Sequence, residues 1–269
     1  MLRPRIIPCL LISGGGLVKT IQFSNPKYVG DPLNAVRIFN EKQVDELMVL
    51  DIDATAQQRE PNYGLIRQLA TECRMPLCYG GGISTPEQIE KIVSLGVEKV
   101  AICSSIIKND SLITKASNRV GRQSIVAVLD IKKRGILGRL EVMSQNATIP
   151  SSIDPIQMAK RVVMQGAGEI VINNVDRDGV MKGYDLDLIS KIRAAVTVPL
   201  SAMGGAGSLQ DIGRLIQSIG ICGAVAGSLF VFKGAYRAVL INYPRLAEKD
   251  ELINSSMSAY QNILRTEKK

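Results

Sequence analysis

The sequence predicts an α/β fold, a (β/α)8 TIM barrel assembled from two duplicated half-barrels. Three observations predict it. Eight short apolar runs recur along 269 residues, stretches with helical period separate most of them, and the two halves of the chain repeat at a fixed offset. Continuous apolar strands alternating with helices indicate a parallel sheet. Eight such units in this length suit a closed barrel better than an open doubly wound sheet. No G-x-G-x-x-G opens the first unit, which counts against a dinucleotide fold.

The first run is Arg5–Ile12, a few apolar residues after Met1-Leu2-Arg3-Pro4. Lys19–Pro32 follows as a polar loop, too long for an ordinary βα turn and expected to be mobile. The second run, Glu46–Asp53, ends on Asp51 and Asp53, and the third, Pro76–Gly82, opens on proline and closes on Gly80-Gly81-Gly82. Thr85–Leu95 has helical period, with Ile89, Ile92, Val93 and Leu95 near one face. The fourth run, Lys99–Ile107, carries Cys103-Ser104-Ser105, and the fifth, Ser124–Ile131, places Asp130 after Ile125-Val126-Ala127-Val128-Leu129. The sixth, Glu169–Asp176, leads through Asn173 and Asn174 into Asp176-Arg177-Asp178-Gly179. The seventh, Pro199–Gly205, again opens on proline and closes on Gly204-Gly205. A helical stretch, Ser208–Ile219, turns Ile212, Leu215, Ile216 and Ile219 to one side, and the eighth run, Gly223–Phe232, contains Gly227-Ser228. Residues 1–243 therefore read as the barrel, and 244–269 as a peripheral tail with a charged helix over Leu246–Leu264.

The halves match in register. Glu46 and Glu169, Pro76 and Pro199, and Gly82 and Gly205 each lie 123 residues apart; Ser104 and Ser228 lie 124 apart. Glycine lets a backbone approach a ligand, and the N–H groups that follow can point at a phosphate. Two such patches half a chain apart suggest two phosphate-sized anion sites.

Composition excludes several functions. The net charge is +8, but the basic residues are scattered, with short clusters only at Lys132-Lys133-Arg134 and Lys268-Lys269. No aromatic platform interleaves them, so nucleic acid is not expected; a small phosphorylated anion accounts for part of the excess. No apolar stretch reaches a membrane span and no secretory leader is evident. Five cysteines without C-x-x-C indicate a reducing, cytoplasmic setting. Histidine is absent, which removes Ser-His-Asp and Cys-His catalysis and every His-ligated metal site. No metal and no cofactor is expected, and acid–base work falls to Asp, Glu, Lys, Cys or Tyr.

In a barrel, function sits where strands end. Asp130 is the sharpest candidate there: a carboxylate at an apolar rim has its pKa raised by desolvation. The alternative is a rim aspartate paired with Lys132 or Arg134. Asp51 and Asp178 read either as orienting groups or as loop caps. Cys103 has no base beside it and reads as an apolar filler rather than a nucleophile. Lys19 could reach a phosphate or remain a solvated lysine. At the opposite ends of the strands, Arg5, Glu46, Lys99 and Glu169 would form a ring of two positive and two negative groups. From position alone, that ring reads as structural.

Over residues 1 to roughly 243 the chain resembles the cyclase subunit of imidazole glycerol phosphate synthase. The motifs are Arg5-Ile6-Ile7-Pro8-Cys9-Leu10, Tyr28-Val29-Gly30-Asp31-Pro32-Leu33, Asp45-Glu46-Leu47 with Leu50-Asp51-Ile52, and Gly80-Gly81-Gly82-Ile83. Asp176-Arg177-Asp178-Gly179 with Gly183-Tyr184-Asp185, and Gly204-Gly205-Ala206-Gly207, complete the set. The resemblance implies a barrel that docks by its bottom face on a glutaminase subunit and conducts ammonia to the top. There the ammonia would meet an intermediate with a phosphate at each end, giving imidazole glycerol phosphate and an aminoimidazole carboxamide ribotide. It implies Asp130 as a catalytic carboxylate. Gly82, Cys103 and Ser104 would hold one phosphate. Gly205, Gly227 and Ser228, with Asp178 and Gly179 nearby, would hold the other. Arg5, Glu46, Lys99 and Glu169 would form an ammonia gate. The chain departs from the family pattern at Leu11, where a second catalytic aspartate is usual, and at Cys103, Asn173 and Met203, where asparagine, threonine and serine are usual. Those departures suit an ammonia-channelling relative that amidates another substrate, such as a nucleotide sugar in surface-polysaccharide synthesis.

Overall fold

Eight parallel strands close on themselves in the computed structural model, which describes residues 3–135, 138–234 and 236–266. They are β1 (Arg5–Ser13), β2 (Leu47–Asp51), β3 (Leu77–Gly80), β4 (Lys99–Ile102), β5 (Ile125–Arg134), β6 (Glu169–Asn174), β7 (Leu200–Met203) and β8 (Gly223–Ala226). Each pairs with the next, and β8 returns to β1 with Arg5 opposite Gly223. Alternation along each strand sorts the apolar side chains into two separate cores. Ile6 and Leu10 face the helices, whereas Ile7 and Cys9 face the interior beside Cys78, Val126 and Val171.

The outer helices are α1 (Pro32–Glu41), α2 (Tyr63–Glu72), α3 (Pro86–Ser94), α4 (Leu112–Val120), α5 (Pro155–Gln165), α6 (Leu186–Ala195), α7 (Leu209–Ile219) and α8 (Leu246–Thr266). Side chains of Asp31, Asn62, Thr85, Asp154, Asp185 and Ser208 accept the first free N–H groups of α1, α2, α3, α5, α6 and α7. No helix among the described residues is long and apolar enough to cross a membrane.

The duplication persists in three dimensions. Capping boxes open α3 at Thr85 with Gln88 and α7 at Ser208 with Asp211, again 123 residues apart. Gly81 (φ 123°) lies on the backbone of Asp51, and Gly204 (φ 91°) lies on that of Asn174, its counterpart in the second half. A side chain at either glycine would collide with those backbones, and both conformations favour glycine.

Four segments differ from the sequence reading. The apolar runs Lys99–Ile107 and Gly223–Phe232 each contain a short strand followed by a helical turn, Ser104–Lys108 and Ser228–Val231. Buried strand and buried helix look alike in so short an apolar run. The fifth strand continues through Lys132-Lys133-Arg134 and pairs in antiparallel fashion with Arg139–Ser144, forming an arm above the rim. Lys19–Pro32 is not an irregular loop. Gly16–Ile21 turns back along β1 and pairs with Ser24–Gly30, so most of it is a β-hairpin rooted on the first strand.

The final helix, α8, packs along α7, and its buried Lys249 reaches Asp45 at 2.6 Å beside the start of β2. Tyr243, just ahead of it, donates to the Ile6 carbonyl at 2.9 Å.

Candidate functional site

Two constellations occupy opposite ends of the barrel. At the bottom, the first inward positions of β1, β4 and β6, and Glu46 just before β2, carry Arg5, Lys99, Glu169 and Glu46. Lys99 Nζ donates to Glu46 at 2.9 Å and to Glu169 at 2.8 Å; Arg5 donates to Glu169 at 2.7 Å and also pairs with Glu46. The four expected residues form a closed ring of alternating sign. Burial alone would push Glu169 up, but Arg5 and Lys99 together hold its carboxyl below the usual range. Ser201 adds a hydrogen bond to Glu169 at 2.5 Å.

At the top, one cleft gathers all ten residues expected to bind or transform substrate: Lys19, Gly82, Cys103, Ser104, Asp130, Asp178, Gly179, Gly205, Gly227 and Ser228. It encloses about 1230 Å³, its open mouth included, which accommodates an extended small molecule. Asp130 ends the inward row of β5 and is buried. It makes no ion pair with Lys132 or Arg134 among the described residues. Its partners are Asn173 Nδ2 at 2.8 Å and the Cys103 thiol at 3.3 Å. Desolvation raises its pKa to about 6, against the lowering effect of those two hydrogen bonds, and Asp178 adds to the rise. A carboxylate poised near neutrality suits proton transfer. Burial pushes the Cys103 thiol well up, so it is held as a thiol donating to Asp130 rather than as a nucleophile.

Two cradles flank this carboxylate. Gly82 (φ 71°) faces the helical turn that begins at Ser104, and Gly205 (φ 114°) faces the one that begins at Ser228. Neither turn is capped by a side chain, so their leading N–H groups are free for an anion. The cradles are not equal. The Gly82 N–H is already bonded to Thr55 Oγ1 at 3.2 Å, and Ser104 Oγ accepts the Gln145 N–H at 2.9 Å. The second cradle has the only cation lining the cleft among the described residues: Lys19, whose Nζ packs on Gly227 and bonds the Cys9 carbonyl. Lys19 is buried rather than solvated, because it points inward from the hairpin strand. Burial lowers its pKa, opposed by Cys9 and Asp178.

The block Asp176-Arg177-Asp178-Gly179 with Gly183-Tyr184-Asp185 builds the roof of this cleft. Asp176 accepts the Lys133 N–H at 2.8 Å, holding the arm of β5. Arg177 donates to the Gly183 carbonyl at 2.9 Å, and Tyr184 donates to the Val225 carbonyl at 3.0 Å. Asp185 caps α6 and accepts from Asn174 at 2.9 Å. Asp178 accepts Thr20 Oγ1 at 2.8 Å, and Gly179 leaves no room for a side chain against the Thr20 carbonyl. Asp51 is a loop cap: its Oδ1 accepts the Asp53 and Ala54 N–H groups at 3.1 and 3.0 Å.

Sequence reasoning missed Thr20, Phe23, Thr55 and Asn146, which also line the cleft. Phe23 packs with Met143, Ala147 and Val175, bringing the hairpin, the arm and the sixth loop together. Asn146 donates to the Ile52 carbonyl at 2.7 Å from a turn in which Gln145, Asn146 and Ala147 all have φ between 50° and 58°. Only the Asn in that turn carried a signal, its tolerance of the left-handed region.

Residues 5–237 match the family model described as histidine biosynthesis protein. The chain is 56% identical over 253 residues to the imidazole glycerol phosphate synthase subunit hisF3 of Vibrio vulnificus, covering 94% of this chain and 97% of that one. It is 51% identical over 250 residues to a subunit hisF2 of Pseudomonas aeruginosa, covering 93% and 99%. Both of those names are provisional. The imidazole glycerol phosphate synthase subunit HisF of Alkaliphilus metalliredigens, named without qualification, is 37% identical over 257 residues, covering 96% and 99%.

Proposed function

The chain belongs to the histidine biosynthesis protein family, alongside imidazole glycerol phosphate synthase HisF subunits, and on that premise we propose that it is the ammonia-dependent lyase/cyclase subunit of a glutamine amidotransferase, working in the cytoplasm. A glutaminase subunit docks on the bottom face and releases ammonia at the ring of Arg5, Glu46, Lys99 and Glu169. The ammonia climbs the interior and meets an acceptor held at the rim by its two phosphates, one in each glycine cradle. Ammonia adds to the acceptor's carbonyl carbon while the C=O π pair moves onto oxygen; Asp130 takes the proton the nitrogen sheds and returns it to that oxygen, leaving a neutral adduct. Lys19 supplies positive charge to the second phosphate.

One observation carries this reading. The ionic ring and the buried carboxylate lie at the two ends of a single column of inward side chains, on strands that are paired neighbours, β5 and β6. Complementation tests it. Growth of a cyclase-deficient, histidine-requiring strain on this gene is the expected result. Absence of growth despite soluble expression and glutaminase binding would overturn it.

A second reading rests on Leu11, which lines the cleft where the resemblance implies an aspartate. There the barrel passes ammonia to a different phosphorylated acceptor, such as a nucleotide sugar. Failure to complement, together with ammonia-dependent amidation of such an acceptor, would favour it.

A further inference from the structure

Asn173 stands at the junction of the barrel interior and the rim cleft. It is 4% exposed, and its Oδ1 has no hydrogen-bond partner among the described residues. The other amide atom is settled by its neighbour. Nδ2 donates to Asp130 Oδ1 at 2.8 Å, and an ionised carboxylate can only accept. Oδ1 is therefore a buried acceptor without a donor, an arrangement that proteins rarely leave unexplained.

Its place on the strand shows which donor would arrive. The inward positions of β6 are Glu169, Val171 and Asn173: ring, apolar wall, amide. Four residue steps of strand lead from Glu169 to Asn173, about 13 Å along the chain. The parallel row on β5 is Val126, Val128 and Asp130. Between the ends, Ile7, Cys78, Val126 and Val171 face inward, and the Ser201 hydroxyl is bonded to Glu169 in the ring. Among the described residues, a small polar molecule rising through this interior meets no amide or carboxylate side chain until it reaches Asn173 and Asp130. Leu11, Met203 and Cys103 wall the pair on the cleft side.

We propose that Asn173 Oδ1 and the Asp130 carboxylate form a seat for ammonia, each accepting one of its N–H groups, so that the nitrogen is held at the top of the column before it reacts. This rests on the reading that ammonia travels through the barrel. Ammonia fits because it brings N–H donors to two acceptors and needs little room. Asp130 serves in both capacities: its raised pKa keeps it close to taking a proton, and Asn173 keeps it oriented.

The test needs neither turnover nor a glutaminase, so it stands apart from the fate of that reading. The side-chain carboxyl of Asp130 is followed by carbon NMR in protein labelled at aspartate, with Asp130→Asn identifying the resonance. Its titration is compared in ammonium chloride and in tetramethylammonium chloride at equal ionic strength; near pH 6 the probe is the ammonium ion, which brings the same N–H donors to the two acceptors. Tetramethylammonium has no N–H and is too large for the seat. In the wild type the midpoint, near 6, should fall in ammonium. Asn173→Leu should abolish that ammonium-specific fall, and Asn173→Thr, which keeps an oxygen acceptor, should retain part of it. Thermal melts confirm that both variants fold. Equal midpoints in the two salts, or an undiminished fall in Asn173→Leu, would overturn the seat. In any assembled enzyme that consumes free ammonia, Asn173→Leu should raise KM for ammonia about tenfold, the loss of one hydrogen bond, with KM for the acceptor unchanged.

Discussion

Glu169 at the bottom of the barrel and Asp130 at its rim are carboxylates on adjacent strands, 5% and 8% exposed. Burial opposes the charge on both. Glu169 sits between Arg5 and Lys99 and is held below the ordinary carboxylate range; among the described residues Asp130 is hydrogen-bonded by an amide and a thiol, and it rises to about 6. Equal burial with unequal pairing separates an end whose carboxylate two cations hold charged from an end whose carboxylate titrates near neutrality. The bottom face of such barrels usually serves stability and the top face catalysis, and here the two electrostatic environments lie on neighbouring strands.

The sharpest way to break this comparison is to neutralise the rim. Asp130→Asn preserves shape and an acceptor for Asn173 but can no longer take a proton. Turnover in the ammonia-dependent reaction should fall by about 10²–10⁴-fold, read from initial rates with glutaminase bound. An unchanged rate would remove Asp130 from the chemistry. The next largest effect belongs to the bottom. Glu169→Ala strands Arg5 and Lys99 against Glu46 alone. Breaking a buried pair costs about 3–5 kcal/mol, and because Arg5 and Lys99 keep 25% and 19% side-chain exposure, about 2–3 kcal/mol is expected in urea unfolding at neutral pH. A loss below about 0.5 kcal/mol would make the ring an ordinary surface network.

The pH dependences should have opposite sign. Asp130 has a folded pKa near 6 against 3.8 when unperturbed. The stability it permits is fully present below about 3.8 and is lost as pH rises through about 6, an effect of up to about 3 kcal/mol. Asp130→Asn should therefore melt higher than wild type at pH 8 and lose that advantage at pH 4. For Glu169 the folded pKa is depressed, so its contribution is present above the unfolded value near 4.5 and is lost as pH falls through the folded one. Glu169→Ala should lack that acid limb. Melting curves of both variants from pH 3 to pH 8 check the pair, and parallel curves would refute it.

The barrel was legible because inward and outward apolar residues make continuous runs, and the glycine patches stand 123 residues apart. Asp130 was legible because a carboxylate at the end of five apolar residues has few structural uses. The hairpin Gly16–Ile21 with Ser24–Gly30 was not. Its second strand is exposed and polar, and its turn uses Gln22 and Phe23 with positive φ in place of an Asn-Gly signature. Of the two readings open for Lys19, the structure excludes the solvated one, because packing of the hairpin buries it in the cleft; the burial of Lys249 likewise comes from tertiary packing and leaves no mark in a charged helix. The unpartnered oxygen of Asn173 could not be read at all, since it depends on which groups β5 and β6 bring to the same level.

The smallest effect sharpens the comparison at the rim itself. Thr20 Oγ1 donates to Asp178, whose carboxyl burial also pushes upward, opposed by Thr20, Lys19 and Phe23. Asp178 is half-buried where Asp130 is buried, and its hydrogen bonds tie the hairpin to the sixth loop. Thr20→Val keeps the shape and β-propensity of the strand while removing the donor. It should cost about 1 kcal/mol in global stability and open the hairpin locally, so limited proteolysis should cut faster within 16–30. Because Lys19 precedes Thr20 on that strand, acceptor KM should rise while the pH midpoint assigned to Asp130 stays in place. A shift of that midpoint would mean that the hairpin, and not burial within the barrel, holds Asp130 near neutrality.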